Sequence, residues 1–190
     1  ARAVRLLLDA QHLLKLHQRA VQVTLGPYDP YGTREHTLVA VTLYRLGAVE
    51  CLAGEQVMGS DHVDEAEAIL WRDDKPPSAL HQSAFFLASG TRHRCAGDIR
   101  AAVQAFTSAL ELVEARTGPG SLEAAEAQFE LGRVLVEEGG DDLERGQGLL
   151  AAALAARRRH MSVSEDSHPR IAEILEAMVV TRTACARRRG

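Results

Sequence analysis

Apolar residues recur at three- and four-residue intervals along most of the chain and never alternate with polar ones at period two, so the pattern predicts helices and no strands. Leu6, Leu7, Leu8, Leu13, Leu14, Leu16, Ala20, Val21 and Val23 fit one helix, stopped by Gly26-Pro27. Thr33 is placed to cap a second helix over about 34–53, with Leu38, Val41, Leu43, Leu46, Val49 and Leu52 on its buried side and Gly54 at its end. Glu55 to Asp61 reads as an irregular insertion, followed by a short helix from Asp64 to Trp71 and a charged break at Asp73, Asp74, Lys75, Pro76 and Pro77. Ser78 opens a helix to about Cys95, and the Gly97-Asp98 turn leads into another from Ile99 to Arg116, which Gly118-Pro119-Gly120 stops. Ser121, with Glu123 behind it, begins a helix to Glu138. After Gly139-Gly140-Asp141-Asp142 comes a helix from Leu143 to His160. Asp166, Ser167, His168 and Pro169 introduce the last, from Arg170 towards Ala186, which makes eight antiparallel helices.

The glycines carry a longer period. Gly47, Gly90 and Gly132 lie 43 and 42 residues apart, and Gly54, Gly97 and Gly139 each follow seven residues later. A period near forty marks an array of helix pairs in which each pair buries its apolar face only against its neighbours. Around Gly90, Phe86 lies four residues before, and Ala102, Phe106 and Ala109 follow at twelve, sixteen and nineteen. Around Gly132, Leu131 precedes and Gly146, Leu150 and Ala153 follow, displaced by two residues that the Gly139-Gly140 turn absorbs. The unit at Gly47 keeps Leu43 and Leu46, but its second half is recovered only as Ala66 and Leu70, after the insertion. Small residues let two helices approach, and large ones fill the gaps beside them.

In these residues the chain resembles the tetratricopeptide repeat (TPR), over about 10–185. The long period, with LGPYDP at 25–30 and DSHP at 166–169, is similar to the long-helix variant of kinesin light chains. Similar segments occur in bacterial repeat regulators and in the C-terminal helical domain of SET/MYND methyltransferases, although nothing here resembles a SET active site or a MYND zinc cluster. The resemblance implies an all-α, antiparallel helix-pair solenoid, a right-handed superhelix of about eight helices in a single domain. Its parts are an N-terminal helix at 1–26, a degenerate repeat at 33–73, repeats at 78–117 and 121–161, and a capping helix at 166–187.

Composition fits this picture. Aromatic residues make up only 4% against 46% hydrophobic residues, mostly Ala, Leu and Val, which disfavours a β-sandwich or barrel. The net charge of -4 and pI near 6.1 supply no whole-protein reason to expect nucleic acid or an anionic membrane. Cys51, Cys95 and Cys185 form neither a disulfide framework nor a zinc motif, so reducing, intracellular surroundings are expected, cytoplasmic or organellar, mitochondrial included. No stretch approaches eighteen consecutive apolar residues, so no membrane span is expected. The chain begins with Ala, and Arg2, Arg5, Lys15 and Arg19 stand against Asp9 alone as far as Leu25, a faintly presequence-like start whose regular apolar pattern favours a structural helix.

Candidate chemistry is sparse. The eight histidines show no HExxH spacing and are expected to be surface or structural residues. Cys51 and Cys95 are expected to be small core thiols, since a nucleophile also needs an oriented base and an oxyanion site. No GxSxG, GxxxxGK or GxGxxG motif appears, so no enzyme activity, cofactor, metal or small-molecule substrate is expected. Charge is uneven: ten acids lie between Glu111 and Glu144 against Arg116 and Arg133, whereas Arg182, Arg187, Arg188 and Arg189 follow Ala177 with no acid.

By the TPR resemblance, a concave partner groove would present Val41, Tyr44 and Ala48, then Ala84, Leu87, Thr91 and Arg94, then Glu126, Phe129, Arg133 and Glu137. It lacks the asparagines and lysines with which family members clamp a peptide, leaving Arg94 and Arg133 to grip a carboxylate. Arg157, Arg158 and Arg159, and Arg187, Arg188 and Arg189, fall near helix C-termini, where the helix dipole favours cations, and are the candidate electrostatic docking residues. The expected function is a non-enzymatic scaffold or adaptor, a dedicated subunit that binds other proteins of an assembly. Two alternatives stay open: an RNA-associated subunit of an organellar ribonucleoprotein, and a regulatory C-terminal segment of a SET/MYND-type methyltransferase.

Overall fold

A computed structural model of the protein describes residues 33–72, 77–139, 142–160 and 171–179. Among them the chain is all-α, with seven helices packed as sequential antiparallel pairs. The eighth expected helix, at 1–26, lies outside the described residues, as do the Asp166–Pro169 turn and Arg187, Arg188 and Arg189. The chain forms two compact units, Ala1–Asp98 and Ile99–Gly190, whose boundary falls at the Gly97-Asp98 turn.

The first unit contains α1 (Thr33–Ala53), α2 (Gln56–Leu70) and α3 (Ala79–Cys95). Its core gathers Val39, Leu43, Tyr44 and Leu46 of α1, Val63, Ala66 and Leu70 of α2, and Phe85 and Ala88 of α3. Two expectations are corrected here. Val49 and Leu52 are 49% and 59% exposed rather than buried; the inward face of α1 runs instead through Val39, Leu43, Leu46, Glu50 and Cys51. Glu55 to Asp61 is no irregular insertion, because helical bonding resumes at once, with Gly59 N–H donating to Glu55 O at 2.9 Å.

That continuity restores the register of the first unit. Gly59, Val63 and Ala66 stand twelve, sixteen and nineteen residues after Gly47, at the offsets of Ala102, Phe106 and Ala109 from Gly90, and all are buried. The crossing is a reciprocal glycine contact: a Cβ on Gly47 would stand 2.5 Å from Gly59 O, and one on Gly59 would stand 2.6 Å from Gly47 O. A helical glycine is disfavoured by about 1 kcal/mol relative to alanine, and here the missing Cβ is what admits the neighbouring backbone.

The second unit contains α4 (Ile99–Thr117), α5 (Leu122–Glu138), α6 (Leu143–His160) and α7, residues 171–179. The same device recurs between α5 and α6, where a Cβ on Gly132 or on Gly146 would stand 2.9 Å from the other's carbonyl oxygen. Phe129, Leu150, Ala153, Ile171 and Ile174 belong to the core these helices share. The turns follow the sequence expectation: Ser121 Oγ accepts from Ala124 N–H at 3.0 Å to cap α5, and Gly54 and Gly139 end α1 and α5 with φ of 93° and 74°.

Candidate partner-binding face

The expected groove residues of the first unit do not share one environment. Tyr44 is 2% exposed, and burial raises its phenol above the ordinary value of 10.0, outweighing nearby Arg45. Thr91 is also buried and donates its hydroxyl to Leu87 O at 2.9 Å. Arg94 alone of these three is half-buried. Tyr44 and Thr91 therefore serve packing more than a partner.

The second unit brings its candidates closer together. On α5 the spacing of Phe129, Arg133 and Glu137 by four residues stacks them on one face. The Arg133 guanidinium lies 5.2 Å from the centre of the Phe129 ring, accepted by Glu130 at 2.6 Å, with Glu137 at 4.0 Å. With Val136 and with Glu173, Glu176 and Ala177 of α7, these side chains line a hollow of about 270 Å³. Glu126 is not part of it, because it pairs with Arg157 of α6, whose side chain is only 11% exposed. Arg157 thereby leaves the expected docking cluster and becomes a tie between helices, while Arg158 and Arg159 remain exposed.

Sequence reasoning missed Glu173 and Glu176. Their i, i+3 spacing on the last helix was the available signal, but nothing in the sequence places α7 beside α5. It missed also a buried polar pair in the first unit. Glu50 is fully buried at the α1–α2 crossing, and its carboxylate accepts from His62 Nδ1 at 2.5 Å.

Other histidines are held locally. His160 donates Nε2–H to Gly120 O at 3.1 Å. Burial, helped by the Arg92 guanidinium, holds the His93 imidazole below its ordinary 6.5, against the opposite pull of Asp98 at 3.9 Å. Cys51 is 4% exposed, and burial, then the neighbouring Cys95, pushes its thiol above 9.0, which suits a core thiol. A second hollow, of about 350 Å³, lies beside it, lined by Gln56, Ser60, Asp61 and Arg92 among others. Among the described residues, no three His, Cys, Asp or Glu side chains are grouped to hold a metal ion, and no helix is long and apolar enough to cross a membrane.

Known protein families, curated proteins and solved structures offer no match to this chain.

Proposed function

We propose that this protein is a non-enzymatic scaffold or adaptor, a dedicated subunit of a larger protein assembly, whose helix pairs continue as a TPR-like right-handed solenoid. The repeated glycine crossing carries the reading. Gly47 against Gly59 and Gly132 against Gly146 build the same tight hairpin twice, in separate units of one chain. Repetition of one supersecondary unit yields an extended face along its first helices rather than a single enclosed pocket, and such faces are used to hold other macromolecules.

The reading is tested by affinity capture from the native source with quantitative mass spectrometry, followed by size-exclusion chromatography of the reconstituted complex. A partner recovered in fixed stoichiometry is the expected result. A monomer that captures no protein and turns over a substrate overturns it. RNA binding at low salt that disappears on neutralising Arg158 and Arg159 would transfer the assignment to a ribonucleoprotein subunit.

A further inference from the structure

Among the described residues eight large hydrophobic side chains are exposed, and four of them fall within ten consecutive positions at the tip of the α1–α2 hairpin. These are Val49 and Leu52 at the end of α1 and Val57 and Met58 in the first turn of α2. Single apolar side chains are ordinary on a surface, whereas a gathered set marks a face that something covers. Thr42 and Arg45, also exposed, precede Val49 and Leu52 at three- and four-residue steps, so the open stripe continues back along α1.

The chain itself carries a segment that matches this face in length, shape and charge. The sequence predicts a helix over 1–26, and residues 27–32 join it to α1, a connection within the roughly two to eight residues usual between antiparallel helices. At about 1.5 Å per residue, Leu6 to Leu25 of such a helix spans roughly 29 Å, as does Thr33 to Leu52 of α1. A helix folding back along α1 therefore brings Leu6, Leu7 and Leu8 level with Leu52. Three successive leucines point to three sides of a helix, and at that level both α1 and α2 expose apolar side chains. On the side away from Leu6, Leu13 and Ala20, the residues Gln11, Lys15, Gln18 and Gln22 form a polar stripe at four- and three-residue steps, as the outer face of a terminal cap requires.

Charge selects the same occupant. Residues 1–25 hold four bases against Asp9, whereas residues 33–70 hold seven acids against Arg34 and Arg45. A second copy of the hairpin would bring acids to acids, and the N-terminal segment brings bases. The short tether also holds that segment at an effective concentration on the order of millimolar, ahead of any free partner.

We propose that the predicted helix at 1–26 folds back along the exposed face of α1, seats Leu6, Leu7 and Leu8 on the apolar hairpin tip, and caps the first unit with the chain's own segment. The proposal goes beyond the scaffold reading and stands whether or not a partner is captured.

Two measurements on the full chain test it. Trypsin cleavage after Lys15 and Arg19, followed by mass spectrometry, reads how often the segment leaves its seat, while cleavage after Arg133, within α5, reads global unfolding. Val49→Ser/Leu52→Ser should speed the first two cleavages about tenfold and leave the third unchanged. Leu122→Ser, which removes an exposed leucine from α5, should alter all three by less than about twofold. Independently, Leu52→Cys is combined with Leu6→Cys, Leu7→Cys or Leu8→Cys and oxidised, and peptide mapping should find an intrachain bridge to position 52 from at least one of them. Leu13→Cys and Leu14→Cys, on the same faces but about 10 Å further along the helix, should bridge at least about fivefold less. Unchanged cleavage in Val49→Ser/Leu52→Ser overturns the proposal, as does bridging no greater from positions 6–8 than from 13 and 14. A bridge found only between chains also overturns it, because a second copy would then be the occupant. If cleavage after Arg133 quickens as much as cleavage after Lys15, the bridging yields decide the question.

Discussion

Replacing Gly47 by alanine puts a methyl group where the structure leaves no room. The added Cβ would stand 2.5 Å from Gly59 O, 2.8 Å from Val63 Cγ2 and 3.2 Å from Val63 N. The first neighbour is backbone, so relief requires α1 and α2 to separate by about 0.9 Å to restore a normal contact near 3.4 Å. A gap of that size forfeits a quarter to a half of each dispersion contact across the hairpin, and Leu43, Val63 and Ala66, all 0% exposed, are among the residues that lose them. Overpacking of this kind costs about 3 kcal/mol, at the upper end of its usual range, and the alanine returns about 1 kcal/mol of helix propensity. The net expectation is a loss of about 2 kcal/mol. Gly148 in α6 is the control, since a Cβ there meets nothing within 4 Å, and Gly148→Ala should stabilise by roughly 0.5–1 kcal/mol. Gly132→Ala supplies the comparison within the same unit as Gly148 and should destabilise, less than Gly47→Ala, because its closest neighbour stands at 2.9 Å. Urea denaturation followed by circular dichroism, with m-values compared, measures all three. A Gly47→Ala chain as stable as the parent, or a Gly148→Ala chain less stable, would refute the close-approach argument.

Three further outcomes are expected. In a Cys185→Ser background, Cys51 should react with iodoacetamide at least about tenfold more slowly than Cys95 in the folded chain, since Cys51 is 4% exposed with its thiol raised above 9.0; equal rates measured by mass spectrometry would contradict its burial. His93 is held below 6.5 in the folded state, so acid protonates the unfolded chain first and stability falls as pH drops from 6.5 downward. His93→Gln should flatten that slope in urea titrations at several pH values, and an unchanged slope would remove His93 as its source. Glu126→Gln leaves the Arg157 guanidinium, 11% exposed, without its carboxylate and should cost about 1–3 kcal/mol. In the double-mutant cycle with Arg157→Met, a coupling near zero would show that the two do not act as a pair.

The helices of the second unit were legible almost residue by residue. Ser121 as a cap, Gly139 as a stop and the run Gly146, Leu150, Ala153 each express a local rule, because caps, left-handed turns and 3.6-residue periodicity are satisfied within a few positions. The first unit was misread where local and tertiary rules conflict. Gly59 and the polar residues around it lower helix propensity, and only the approach of Gly47 explains why glycine belongs there. The inward face of α1 was misjudged for a related reason: apolarity pointed to Val49 and Leu52, whereas His62 on another helix makes it tolerable to bury Glu50.

The sequence by itself thus determined an all-α chain, the placement of most helix ends and the forty-residue period, since each depends on neighbours along the backbone. Tertiary structure alone decided which glycines touch, that Arg157 serves Glu126, and that Glu173 and Glu176 join Arg133 and Glu137 around one hollow. Those are contacts between segments far apart in the chain, and no local pattern of hydrophobic and polar residues encodes which helix will lie beside which.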